Sequence, residues 1–176
     1  MDSKNSPAPL GGEKTGKNPT DRGKQGAKIN LLVDERGAPL SVVLTEANRH
    51  DKISAVDLIV SMALKRPAHK EQHLCADKAY DASEEREFAS SEGGYTTHIK
   101  VNPRKKYTTE SSGQSSQQRD SHGEPHPVRR WVVERTISWL VKRCSLRTRW
   151  SKKAENWLAL IQLACAHVLL NLAVFR

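Results

Sequence analysis

The sequence predicts an α/β fold with a mixed sheet flanked by helices. Two apolar stretches joined by turn residues read as a hairpin. Beyond them, short apolar runs of strand length alternate with segments of helical period. With 176 residues the chain is long enough for one domain with a real core.

The elements follow in order. Residues 1–25 are rich in Gly, Pro, Lys and Asn and read as an extended basic loop. Lys28 to Val33 is a strand, Pro39 to Ala47 a second, and Asp34-Glu35-Arg36-Gly37 supplies the turn between them. Asp51 is placed to cap a helix running to about Lys65, with Ile53, Val56, Ile59, Val60, Ala63 and Leu64 on one face and Pro67 closing it. His73 to Ala76 is a short buried strand that ends at Asp77. Ala82 to Ser91 is a helix stopped by Gly93-Gly94, and Tyr95 to Val101 another strand. Residues 103–127 carry almost no large apolar side chains and read as a flexible loop. Helix returns from Val128 through Arg147, and a last helix begins near Lys152 or Ala154.

Charge narrows the partner. Lys and Arg number 29 against 20 Asp and Glu, a net +9, which suits a polyanion such as nucleic acid, although solubility alone accounts for many basic proteins. Cys75, Cys144 and Cys165 are odd in number, far apart and set among apolar residues, so they read as reduced, buried thiols of a cytoplasmic protein. The polar N-terminus has no secretory pattern. Trp157 to Phe175 carries no charge and approaches the length of a membrane span. Gln162, His167 and Asn171 within it, and the α/β pattern upstream, favour a helix buried in protein and no membrane partner.

Several motifs carry less than they suggest. Gly11 to Asn18 approaches a phosphate-binding loop, but Asn18 replaces the Ser/Thr, no apolar strand precedes it and Pro19 follows. His69 and His73, like His122 and His126, are four apart without the helix that would put both rings on one face. Asp34 and Glu35 are turn residues.

Two carboxylates stand apart. Asp77 follows a buried strand at its C-terminal end, the edge where open α/β sheets bind ligands, and Asp81 is better placed to cap the next helix. Glu134 lies beside an apolar stripe of Val133, Ile137, Leu140, Val141 and Cys144, one turn after Arg130. Taken alone, that spacing describes a surface ion pair worth about 0.3–0.5 kcal/mol.

The strings Ala8–Gly16, Asn18–Lys24, Ala47–Asp51, His73–Lys78, Arg129–Thr136 and Lys152–Asn156 change that weighing. In this order they resemble the catalytic region of bacterial insertion-sequence transposases of the DDE type, in the subgroup commonly called IS-five-like, over nearly the whole chain. The resemblance implies a ribonuclease-H-like fold and DNA transposition by metal-dependent phosphodiester cleavage and strand transfer. It implies three catalytic, metal-holding carboxylates: Asp2, Asp77 and Glu134. Such a set can hold two Mg²⁺ or Mn²⁺ ions. Lys14, Lys17, Arg22, Lys24, Lys28, Arg129, Arg130, Arg135, Lys142 and Arg143 are the candidates to contact DNA phosphates.

The chain departs from the family pattern in three ways. Asp2 is followed by Ser3 instead of Gly, with only Met1 before it, so the first, central strand that should carry it is expected to be missing. The family's N-terminal DNA-binding region is expected to be missing as well. The basic residue common seven positions after the Glu is Val141 here. These departures suggest a partial catalytic domain over 1–176, from a split or truncated gene. It would partner an upstream transposase part and form a homo-oligomer. The alternatives are a catalytically inactive DNA-binding remnant and, more weakly, a protein anchored to a membrane by its last helix.

Overall fold

The computed structural model describes residues 1–62, 64, 69, 71–80, 83–91, 93–99 and 129–174. The loop expected at 103–127, with His122 and His126, lies outside them, as do Pro67 and Asp81.

The first departure from the sequence reading is at the N-terminus. Asp2–Pro7 forms a six-residue strand, β1, without one large apolar side chain. It pairs antiparallel with β2 (Gln25–Val33), from Asp2 opposite Leu31 to Pro7 opposite Gly26. Gly16–Lys17 adds a two-residue pairing to the same strand. Residues 1–25 are therefore not one extended loop, and Asp2 is not left without a strand, since it opens β1. The reason is non-local. β2 offers a row of backbone groups, and pairing satisfies a strand's N–H and C=O whatever its side chains are. Ser6 is buried there, its hydroxyl donating to the Leu146 carbonyl at 3.4 Å.

The expected hairpin forms. β2 pairs with β3 (Pro39–Glu46), with a register shift between Leu32 and Val33. Asp34 accepts from the N–H groups of Arg36 and Ala38, as a turn residue should. β4 (His73–Ala76) and β5 (Thr96–Ile99) run parallel, His73 opposite Thr96 and Ala76 opposite Ile99. A single mixed sheet was expected, but the described strands form two sheets. They meet where the Met1 ammonium donates to the Cys75 carbonyl at 2.7 Å.

Among the described residues five helices cover the strands: α1 (Ile53–Val60), α2 (Ser83–Ser91), α3 (Trp131–Val141), α4 (Cys144–Arg147) and α5 (Ala154–Val174). α1 buries Ser54, Ala55, Leu58 and Ile59 and leaves Ile53 and Val60 exposed, a face rotated from the expected stripe. Asp51 does not cap it through its side chain. Its carboxylate instead accepts from Lys28 Nζ at 2.7 Å. The helix expected through Arg147 breaks at Arg143, which is extended (φ −74, ψ 113), and the short α4 turns Leu146 into the core.

Alternation along β2 divides the core. Ile29 and Leu31 pack with Leu44, with Val133, Ile137 and Leu140 of α3, and with Trp157 and Ile161 of α5. Leu32 packs on the other side with Met1, Leu58 of α1, Leu74 and Ala76 of β4, and Tyr80. Residues opposite one another on paired strands share a face. Asp2, opposite Leu31, therefore lies on the α3 side of the sheet.

Candidate active site

Each acidic candidate is positioned by a different element. Asp2 is the first residue of β1. Asp77 immediately follows β4, and its carbonyl accepts the Tyr80 N–H at 2.9 Å in a short 3₁₀ turn, Lys78–Tyr80. Tyr80 is fully buried and pins that turn. Glu134 lies in the first turn of α3.

The tip of the β2–β3 hairpin seats α3. Thr136 Oγ1 donates to the Gly37 carbonyl at 2.8 Å, and Arg135 donates to the Arg36 carbonyl at 2.7 Å. Gly37 has φ +91, and a Cβ there would stand 2.7 Å from Thr136 Oγ1, so the contact requires glycine twice over. The Arg135 guanidinium lies over the rings of Trp131 and Trp139, at 4.8 and 4.7 Å.

Arg130 draws the carboxylates together. Its guanidinium reaches Asp77 Oδ1 at 3.2 Å and Glu134 Oε1 at 3.4 Å. Asp2 lies in the same electrostatic field. Burial pushes its carboxyl above the ordinary value and Glu134 adds to the rise, while the Ser3 N–H, the Met1 ammonium and Arg130 oppose it. Burial also pulls the Met1 ammonium down to about 6, with Arg130 acting in the same direction and Cys75 and Asp2 against it. Burial raises the Cys75 thiol. Asp77, Glu134 and Arg130 thus form one charged cluster, with Asp2 and the chain's amino group within its electrostatic reach.

The donors fit a hard divalent ion in kind, because all three are carboxylates. The place between Asp77 and Glu134 is also one where positive charge already sits, in the guanidinium. Among the described residues, no three His, Cys, Asp or Glu side chains close to chelating distance. An ion seated between Asp77 and Glu134 would have to displace the Arg130 guanidinium.

The basic candidates separate. Lys14, Lys17, Arg22, Lys24, Arg129 and Lys142 are exposed. Arg143 lies against His167. Lys28 is buried, donating to the Arg49 carbonyl at 2.6 Å and to Asp51 at 2.7 Å. It is a structural cation and cannot present itself to a phosphate. His73 meets His98 instead of His69, Nδ1 to Nε2 at 2.9 Å. Cys165 is a buried thiol pushed up to about 11 by desolvation, whereas Cys75 is half-buried.

Two residues matter that sequence reasoning did not single out. Glu13 Oε2 accepts the Ala154 N–H at 2.9 Å and so caps α5 from 141 positions away. Arg149 is fully buried and donates to the carbonyls of Ser151 and Lys152, at 2.9 and 3.0 Å. No local spacing signals either role. The strings Ala8–Gly16 and Lys152–Asn156 are brought together here, with Gly12 so close to Lys152 that a Cβ would stand 2.3 Å from its carbonyl oxygen.

Residues 1–169 match the family described as transposase DDE domain. The chain is 31% identical over 166 residues to the protein named as transposase for insertion sequence element IS402 of Burkholderia cepacia, covering 92% of this chain and 71% of that protein. No solved structure matches. The chain therefore belongs to the DDE-domain transposases of insertion sequences, a family that acts in DNA transposition.

Proposed function

We propose that this chain is the catalytic portion of an IS-five-like transposase that cuts and rejoins phosphodiesters at transposon ends. The observation that carries the reading is the convergence of Asp77 and Glu134, from separate elements, on one guanidinium with Asp2 in the same field. Strand arrangement supports a ribonuclease-H-like fold. β1 lies against β2, β2 against β3, and Met1 at the head of β1 touches β4, which pairs with β5.

Asp2, Asp77 and Glu134 would hold Mg²⁺ or Mn²⁺, one ion or two. A divalent ion bound there supplies Lewis-acid stabilisation of phosphoryl oxygens. The chain's own residues do the rest. Arg130 neutralises Asp77 and Glu134 before any ion or DNA arrives, since unscreened carboxylates repel both each other and a phosphate. The seat of α3 on the hairpin tip holds Glu134 in position. Lys14, Lys17, Arg22, Lys24, Arg129 and Lys142 would grip phosphates with little sequence preference. The setting is cytoplasmic, and an upstream transposase part would supply recognition of transposon ends.

A metal-dependent nicking assay on terminal-repeat DNA tests the reading, with the chain alone and with an upstream part supplied in trans. Mg²⁺-dependent nicks are expected, reduced at least about 100-fold in Asp77→Asn and Glu134→Gln. Nicking unchanged in both variants would remove these residues from the chemistry. No nicking under either condition, with DNA binding retained, would leave an inactive DNA-binding remnant.

A further inference from the structure

α5 has two apolar faces, and the core uses one. Trp157, Ile161, Ala164, Cys165 and Val168 are buried against the sheet and α3. On the opposite side Leu160, Leu163, Leu170 and Val174 are 40, 69, 57 and 60% exposed. No charged residue occurs from Trp157 to Val174. An uncharged apolar stripe of this length on a protein surface marks an interaction site.

The spacing points to another helix. Leu160, Leu163, His167, Leu170 and Val174 alternate in steps of three and four, the seam of a coiled coil. Beside them Ala159, Ala166 and Ala173 recur every seventh residue and are all exposed, so a second helix could approach closely along the same side. Arg143 and Ser145, at the start of α4, border the stripe and make with Leu163 and Leu170 a groove that could receive side chains from a partner.

We infer that this face of α5 is a homodimer interface, occupied by α5 of a second copy running antiparallel about a two-fold axis. Such an axis asks a surface to complement itself, which an uncharged stripe does without placing like charges together. Covering the exposed side chains removes on the order of 500 Å² per copy, about 1,000 Å² in all, the lower limit for a specific interface.

α5 is also long and apolar enough to cross a membrane. Its other face rules that occupant out as the better reading. Trp157 and Ile161 are the centre of the core shared with β2, β3 and α3, and a helix drawn into lipid would take them with it.

The test is sedimentation of the purified chain from about 1 to 100 µM, the range in which an interface of this size is populated. The parent is expected to dimerise with a micromolar Kd. The double variant Leu163→Glu/Leu170→Glu should weaken association at least tenfold while keeping the parent's circular dichroism and melting temperature, because both residues face solvent in the monomer. A parent that stays monomeric at 100 µM, a variant that dimerises as the parent does, or flotation of the parent with phosphatidylethanolamine–phosphatidylglycerol vesicles would each overturn the inference.

Discussion

Arg130 holds Asp77 at 3.2 Å and Glu134 at 3.4 Å, so the residue one helical turn before Glu134 binds a carboxylate delivered by a different sheet. The pairs are partly exposed, with side-chain exposures of 35% for Arg130, 33% for Asp77 and 53% for Glu134. Solvent therefore screens them, and their value to stability is modest.

Arg130→Gln should lower the metal-free melting temperature by roughly 2–4 °C, since exposed ion pairs total at most about 1 kcal/mol and a chain of this size loses that much per kcal/mol. Mn²⁺ should then stabilise the variant more than the parent, because the cation competing for the carboxylates is gone. Thermal melts with and without Mn²⁺ measure both effects. Equal Mn²⁺ shifts in the two proteins would sink the competition.

Stability should rise with pH between about 6 and 8. The Met1 amine is lowered to about 6 from an unfolded value of 8.0. Within that window the unfolded chain carries a proton that the folded chain has shed, so folding gains as pH increases. The stability is fully present above the unfolded value and lost as pH falls through the folded one. The full effect is roughly 2–3 kcal/mol for a buried group. Urea denaturation at closely spaced pH values measures it, and acetylation of the amino group should flatten the slope.

Glu13→Ala should cost about 1–2 kcal/mol, the loss of a charged cap at the start of α5. Glu13→Gln keeps an oxygen acceptor and should cost less. A urea midpoint in Glu13→Ala equal to the parent's would show that another group takes over the Ala154 N–H.

Gly37→Ala should destabilise by about 1–3 kcal/mol, combining a positive φ with a collision at Thr136. Gly23→Ala provides the control, because it also has positive φ (+72) but meets nothing within 4 Å. The Gly37 variant should be the worse of the two in chemical denaturation.

How legible these features are in the sequence depends on how local their causes are. His73–Ala76 is a strand at the expected bounds because its apolar run and the residues that end it are adjacent. The hairpin follows from its turn residues in the same way. β1 is invisible by pattern, because what makes DSKNSP a strand is β2, more than twenty positions on. The buried face of α1 is not legible by pattern because Ile53 and Val60 are apolar yet exposed, and periodicity weighs them like buried residues. The Arg130–Glu134 pair could be read from its spacing. Its third member, Asp77, could be placed beside it only by resemblance, since that contact depends on how β4 and α3 pack. Lys28 shows the reverse error, a basic residue counted for a surface that its burial denies it.

The Glu13 cap has a consequence for how the chain is made. The start of α5 is finished by a side chain 141 positions earlier, and Arg149 N–H donates to the Pro7 carbonyl at 2.8 Å across a similar separation. Contacts so distant in sequence fold slowly, because a long loop must close before they form. During synthesis the N-terminal strand and loop emerge long before α5 exists to receive them. Folding of this domain must then wait until α5 has been made, and a product cut short before Ala154 would expose its unfinished core to chaperones and proteases.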